Sequence, residues 1–433
     1  MRRNAIDSVY ELITDEGEQR ACDAIPEEAC VVVPRNFLRT VANGACTKLA
    51  EQLVSPGTTL PWIFTTLGVP GAFAGALVPV KDAGSLLPQL LVSARIRSYP
   101  VRKWFWVIPA LVQAASLVAM AFVVLSLSGV AAGVAVLGLV ALFNIASGVA
   151  SLSFKDVVAK TIPKGKRGQM LALRSSVGGV LTLGAGIWMF TIVRSDDGAQ
   201  SYFWLIAAAA ALWVAAAALF ARIREPAGAT EGGRTPLAEI REAWSFFRSD
   251  ANLRRFIFTR GLLMAIPLAQ PFFIVLGRGQ IGDDASSLGI VVVAAGIANV
   301  VSSPFWGRFS DRSSRLMMIA VALLGIVNIA LMLSFPLWPD AIRTVFGFSV
   351  LLMIQVIAHA GARLSRKTYL LDFAPEKERP LYVSLSNTMI GAFTLVAAGL
   401  GTIATIWSVE AMLITYAVLL AGAALLGTRL KET

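Results

Sequence analysis

Runs of about 20 apolar residues, separated by short polar stretches, recur from around residue 43 to the end of the 433-residue chain. Each run is long enough to cross a hydrocarbon core of roughly 30 Å as a helix rising about 1.5 Å per residue. The composition carries the same demand: 56% of residues are hydrophobic and only 15% charged, against about 25% charged in soluble domains. So much apolar side chain needs a non-aqueous solvent, and the chain is expected to be an all-α, polytopic membrane protein.

Apolar windows and their polar breaks predict twelve spans, at about 43–68, 72–94, 103–126, 129–151, 171–193, 202–221, 256–277, 286–307, 316–336, 343–363, 382–406 and 409–428. The first is irregular. It contains Lys48, Glu51, Pro56 and Pro61 and is firmly apolar only from Leu60, which predicts a kink or an interfacial turn.

A net charge of +11 raises the question of nucleic acid, but the basic residues sit in short loops and report topology instead. Lys and Arg crowd the connections after spans two, four, eight and ten (Arg95, Arg97, Arg102 and Lys103; Lys155, Lys160, Lys164, Lys166 and Arg167; Arg308, Arg312 and Arg315; Arg363, Arg366, Lys367, Lys377 and Arg379). The opposite connections carry only Arg194, Arg278 and Arg343, beside Asp196, Asp197, Asp283, Asp284 and Asp340. By the positive-inside rule both termini are expected in the cytoplasm, with a bacterial inner membrane as the expected location and no nucleic acid as partner. The acidic, polar start of the chain lacks a basic and then apolar leader, so no cleavable signal is expected. Cys22, Cys30 and Cys46 are the whole thiol inventory; a lone C-x7-C without histidine partners is a weak metal signal, and reduced thiols are expected.

These features divide the chain into a cytoplasmic segment 1–42, a six-helix bundle 43–222, a linker 223–255, a second six-helix bundle 256–428 and a tail 429–433. The linker opens with REPAGATEGGRTP, which suits a flexible connection. Leu237, Ile240, Trp244 and Phe247 then recur at helical spacing among Glu239, Arg241, Glu242 and Arg248. That pattern reads as an amphipathic helix on the membrane surface, or else as an extension of span seven.

A shift of 212 positions aligns residues 151–179 with residues 363–391 without a gap, matching Leu152/Leu364, Ser153/Ser365, Lys155/Lys367, Pro163/Pro375, Arg167/Arg379, Leu173/Leu385 and Gly179/Gly391. Spans four and five fall on spans ten and eleven. The even offset gives both halves the same orientation, related by an axis along the membrane normal, with a cavity between them. A looser match pairs residues 93–103 with 306–316, Arg95 with Arg308 and Arg102 with Arg315.

Gly307 to Arg315, GRFSDRSSR, resembles the G-x-x-x-D-R-x-x-R loop motif of the major facilitator superfamily. Together with the six-plus-six repeat and the long central loop, the resemblance covers roughly residues 40–430. It implies the fold of that family: twelve transmembrane helices in two parallel-repeat six-helix bundles. It also implies a cytoplasmic gate of Gly307, Asp311, Arg312 and Arg315, in which the glycine permits close helix contact and the charges break and reform as the halves rock. The counterpart in the first half has Ala94 for the glycine and Ser98 for the acid, so a network around Arg95 and Arg102 is expected to lack its usual anion. The competing reading of all these arginines is that they only fix topology.

Ionisable groups at membrane depth usually face water or a partner. Lys48 and Glu51 stand three residues apart on one helix face. Lys81 and Asp82 lie about 15 Å below the outer surface and point about 100° apart, so different partners are expected for them. Burial raises a carboxylate pKa and a neighbouring ammonium lowers it, opposed influences that suit Glu51 or Asp82 to carry a coupling proton; a static ion pair is the equal alternative, and direct solute binding a third. His359 near the cytoplasmic end of span ten, and Asn144, Gln270, Asn299, Gln355 and Asn387 inside spans, are candidates for a proton or solute path, against the commoner role of bonding across helices. No phosphate loop, metal cluster or nucleophile triad stands out, so neither catalysis nor a cofactor is expected.

The function expected is secondary transport of a small solute by alternating access, coupled to protons, by a monomer in the bilayer. The alternative is a non-transporting membrane protein of the same fold, an assembly factor or sensor, which the missing acid at Ser98 favours slightly.

Overall fold

The computed structural model describes residues 9–11, 14, 30–163, 166–192, 198–228, 230, 236–281, 285–310, 312–375 and 379–432, and no strand occurs among them. The first half contains α1 (Val33–Leu53), α2 (Thr59–Thr66), α3 (Gly71–Arg97), α4 (Trp104–Ser126), α5 (Gly129–Thr161), α6 (Arg167–Ile192) and α7 (Gly198–Ala221). After α8 (Pro236–Ser249), the second half contains α9 (Ala251–Leu263), α10 (Ala265–Ile281), α11 (Ala285–Ser310), α12 (Ser314–Ser334), α13 (Val345–Phe373), α14 (Arg379–Leu400), α15 (Thr402–Ile406) and α16 (Val409–Gly427).

Lipid, not water, explains the surface of these helices. On α4, Ile108, Leu111, Val118, Phe122 and Leu125 are exposed on one face while Ala110, Ala114, Leu117, Ala121 and Val124 are buried on the other, so both faces are apolar and the small residues turn inward, where helices approach closely. Among the described residues nine segments are long and apolar enough to cross a membrane. The other three predicted spans are helical too. One is the broken α1–α2, one is α3 with Lys81 and Asp82, and the third, α14, has a shorter apolar stretch, Leu385–Leu400.

The predicted irregularity of the first span is a break at residues 54–58 between α1 and α2. The seventh predicted span breaks at the corresponding place, Met264, between α9 and α10. Pro267 has no N–H to give the Leu263 carbonyl, so Met264 donates to Gly261 O at 3.1 Å and the helix restarts. The repeat extends to element ends: the shift of 212 carries Thr161, the end of α5, onto Phe373, the end of α13, and Arg167, the start of α6, onto Arg379, the start of α14.

Packing obeys the same exchange. Within the first half α4 packs on α7 and α3 on α5; within the second, α12 packs on α16 and α11 on α13. Between the halves α6 meets α11 and α3 meets α14, two contacts that a two-fold axis converts into each other. One end of the bundle, the basic-loop end, gathers the loops after α3, α5, α11 and α13: Lys160 donates to Pro100 O, and the Asn36 side chain donates to Arg224 O and accepts from Arg224 N at 2.9 and 3.1 Å.

The amphipathic linker helix is α8, a separate element. Asp250 is extended (φ −95°, ψ 105°) and accepts from Asn252 N and Leu253 N at 2.8 and 3.1 Å, capping α9, so α8 is not an extension of span seven. Phe246 packs on Tyr382 of α14 while Trp244 stays exposed and stacks on Phe247. One expectation is corrected: Cys30 is disulfide-bonded, and Cys46 is the free thiol among the described residues. A C-x7-C spacing does not report whether two Cβ atoms come within bonding geometry, which is what decides a disulfide.

Candidate functional site

A cavity of about 530 Å³ lies between the halves. From the first half, α1 brings Lys48 and Glu51, α3 brings Lys81 and Asp82, and α4 and α5 bring Leu117, Met120, Val140, Phe143 and Asn144. From the second, α9 brings Arg260, α10 brings Gln270, α11 brings Asn299 and α13 brings His359, Arg363 and Arg366. By helical rise Lys48 and Glu51 lie about 18–22 Å along α1 from Asn36 at the basic-loop end, yet their side chains are 48% and 47% exposed and pair at 3.2 Å. A charged pair so deep and so accessible is solvated by the cavity.

The other charges act across it. Glu51 lies within electrostatic reach of Lys81 and Arg174 in its own half and of Arg363 in the other. Asp82 lies within reach of Arg260 and Arg366. The influence of Lys81 is thus felt at Glu51 and that of Asp82 at the arginines of the second half. Arg260 is 6% exposed, donates to Ser386 Oγ at 2.5 Å and Asn387 Oδ1 at 2.8 Å, and keeps an unpartnered Nε. Among the described residues Arg366 has only the Met264 sulfur at 3.8 Å, a weak acceptor.

The cavity is shut at the end opposite the basic loops. Cβ atoms built on Gly75 and Gly186 would lie 3.0 Å from Gly401 Cα and 2.9 Å from Val293 N, so the halves touch there backbone to backbone. Arg278, 2% exposed, crosses from α10 to donate to Trp62 O and Thr65 Oγ1, its guanidinium 5.0 Å from the Trp62 ring. Towards the other end the lining continues to Arg366, about one turn short of Tyr369, whose hydroxyl donates to Lys431 O at the basic-loop end.

Of the polar residues singled out in the sequence, Asn144, Gln270, Asn299 and His359 line this space, with Gln270 seated against the Gly57 break and His359 making no hydrogen bond to a described residue. Gln355 does not: it is 1% exposed and bridges Ile266 O and Asn328 inside the second half. Asn387 serves Arg260. Arg260, Arg363 and Arg366 were not anticipated as cavity residues. An arginine inside span seven was a legible signal; the other two fell to the loop count because α13 runs ten residues past the predicted end of span ten, 363, to Phe373.

Comparison with known proteins decides what scaffold holds this cavity. A sequence model of the Major Facilitator Superfamily matches residues 272–432. The fold is similar to the nucleoside transporter NupG (TM-score 0.73, 14% identity, 91% of this chain and 99% of that one). It is also similar to a POT family transporter in complex with a thioalcohol-conjugated peptide (0.68, 12%, 94% and 97%) and to the xylose transporter XylE from E. coli in an inward open conformation (0.65, 13%, 92% and 96%). The second half of the chain thus carries the superfamily's sequence pattern, and the whole chain shares the fold of these solved transporters. A relative in Mycobacterium tuberculosis (strain H37Rv), Uncharacterized protein Rv2209, is 28% identical over 416 residues, covering 91% of this chain and 78% of its own length.

The superfamily's loop motif is built differently in the two halves. In the second, Arg315 pairs with Glu432, whose carboxylate also accepts from Ser313 Oγ at 2.5 Å. Arg312 is exposed, a Cβ on Gly307 would meet open space, and Asp311 lies outside the described residues, as does the side chain of Arg95. In the first half Ser98 does replace the motif acid, but the loop does not lack an anion. Asp156 pairs with Arg102 at 2.8 Å, and Glu225, with its side chain 0% exposed, accepts from Arg102 N, Lys103 N and Lys160 Nζ at 2.7–3.0 Å. The carboxylate comes from just past α7, as Glu432 comes from just past α16, so the clasp is rebuilt from a neighbouring segment.

Proposed function

We propose that this protein is a member of the major facilitator superfamily and a proton-coupled secondary active transporter that carries a small solute across a bacterial inner membrane by alternating access. With both termini and the basic loops in the cytoplasm, as the distribution of Lys and Arg favours, the closed end of the cavity is the outer one and the solute path leads from the cavity towards the cytoplasm. The observation that carries the reading is the charge-lined, water-accessible cavity at membrane depth, closed at one end by Arg278 and the glycine contacts and reaching towards the other. Breaks at matching places in α1–α2 and α9–α10 border that cavity and give each half a joint at which to bend. The path lies within one chain, so a monomer suffices. The intact first-half clasp around Glu225 removes the ground on which a non-transporting role was favoured.

Glu51 and Asp82 are the only carboxylates among the described lining residues, Glu51 within reach of cations of both halves and Asp82 of the arginines of the second, so each is suited to exchange a proton with water as the halves rock. A related fold described as a D-xylose-proton symporter supports coupling on this architecture. Vesicles containing the protein, offered a labelled solute panel with and without a proton gradient, should accumulate at least one solute only when the gradient is present. Glu51→Gln or Asp82→Asn should abolish accumulation and spare exchange. Unchanged coupling in both variants would remove the proton assignment.

A further inference from the structure

The cavity lining carries five basic side chains, Lys48, Lys81, Arg260, Arg363 and Arg366, against the two carboxylates, an excess of three positive charges with His359 neutral. Inside a bilayer such an excess is costly unless a counter-charge is present. The excess is one-sided. All three arginines belong to the second half, which contributes no acid to the described lining. None has a carboxylate within ion-pair distance among the described residues. Arg260 is nine-tenths buried with Nε unpartnered, and Arg363 is exposed to the cavity. A guanidinium presents a planar fork that fits carboxylate and phosphate oxygens two at a time. The facing wall is apolar, formed by Leu117, Met120, Val140 and Phe143.

We propose that the solute is a multiply charged organic anion bearing carboxylate or phosphate groups. Arg260, Arg363 and Arg366 hold its oxyanions and the apolar wall of α4 and α5 receives its uncharged part. This rests on the transport reading for the word solute, but the binding class is tested separately. The full chain purified in detergent is heated with succinate, citrate, glucose 6-phosphate, inorganic phosphate, glucose and choline at equal ionic strength. At least one organic oxyanion should raise Tm by about 2 °C or more, with glucose and choline inert and inorganic phosphate weaker. Arg363→Gln, at a cavity-exposed position where folding is not at risk, should weaken that oxyanion about tenfold or more, and Arg363→Lys less. Arg366→Gln should do the same.

Stabilisation by glucose or choline with the organic anions inert, an equal effect of inorganic phosphate, no shift with any oxyanion, or affinity undiminished in both glutamine variants would each overturn the proposal. Binding without passage of the same anion into vesicles would instead contradict transport and leave the anion class standing. Passage of a neutral solute alone would do the reverse.

Discussion

In the first half the cavity wall sets Lys48 beside Glu51 and Lys81 beside Asp82, two bases against two acids, whereas the second half brings Arg260, Arg363 and Arg366 and no acid among the described lining residues. The same asymmetry recurs at the basic-loop end, where Glu225 is fully buried under four donor contacts and Glu432 is 52% exposed. Yet the 212 shift carries the end of α5 and the start of α6 onto the end of α13 and the start of α14 to the residue. A repeat therefore copies the scaffold, fixed by apolar spans and small-residue contacts, and leaves the charges free to diverge. The divergence divides labour: a charge-balanced wall suited to proton exchange faces a cationic wall suited to an anion.

The clasps give the largest expected difference. Glu225→Gln strands Lys160 and weakens the amide contacts of Arg102 and Lys103, and should destabilise the protein by about 3–5 kcal/mol, read by thermal unfolding in detergent. Glu432→Gln should cost about 1 kcal/mol or less, because its carboxylate is half exposed and solvent screens the pair. Equal losses would erase the distinction. Next come the walls. Arg366→Gln should reduce oxyanion affinity about tenfold or more while Lys81→Gln reduces it less, measured by competition binding; the opposite ranking would move the anion site to the first half.

Small residues sharpen the comparison further. Gly186→Ala pushes a methyl into Val293 of the other half and should cost about 1–3 kcal/mol, whereas Gly307→Ala, with open space around its Cβ, should be neutral or stabilise by up to about 1 kcal/mol through helix propensity. The smallest effect is expected of Ser98→Asp. Restoring the motif acid should change Tm by an amount corresponding to about 0.5 kcal/mol or less, because Glu225 and Asp156 already supply the anions of that loop.

The architecture was legible because apolar length and loop charge are properties of the chain alone: spans three to six and eight to ten lie within a few residues of their predicted starts. The charged positions within helices were less so. Arginines lower local hydropathy, which cut the predicted span ten short at 363 and made Arg363 and Arg366 look like loop residues. Glu225 sat in a stretch read as a flexible linker, and its burial follows from tertiary contact with the loop after α3. Lys48, Glu51, Lys81 and Asp82 were found because ionisable residues inside an apolar window are conspicuous, and the same rule applied to Arg260 would have found it too. Gln355 illustrates the reverse case, an intramembrane amide used for packing.

Alternating access itself is tested most directly by paired distances. Spin labels introduced by a cysteine-independent route at the exposed positions Tyr99 and Arg312 report the basic-loop end, and labels at Leu127 and Ile406 report the opposite end. Across pH and oxyanion conditions the account predicts two populations in which one pair shortens as the other lengthens. Single, unchanging distances at both ends under every condition would contradict it.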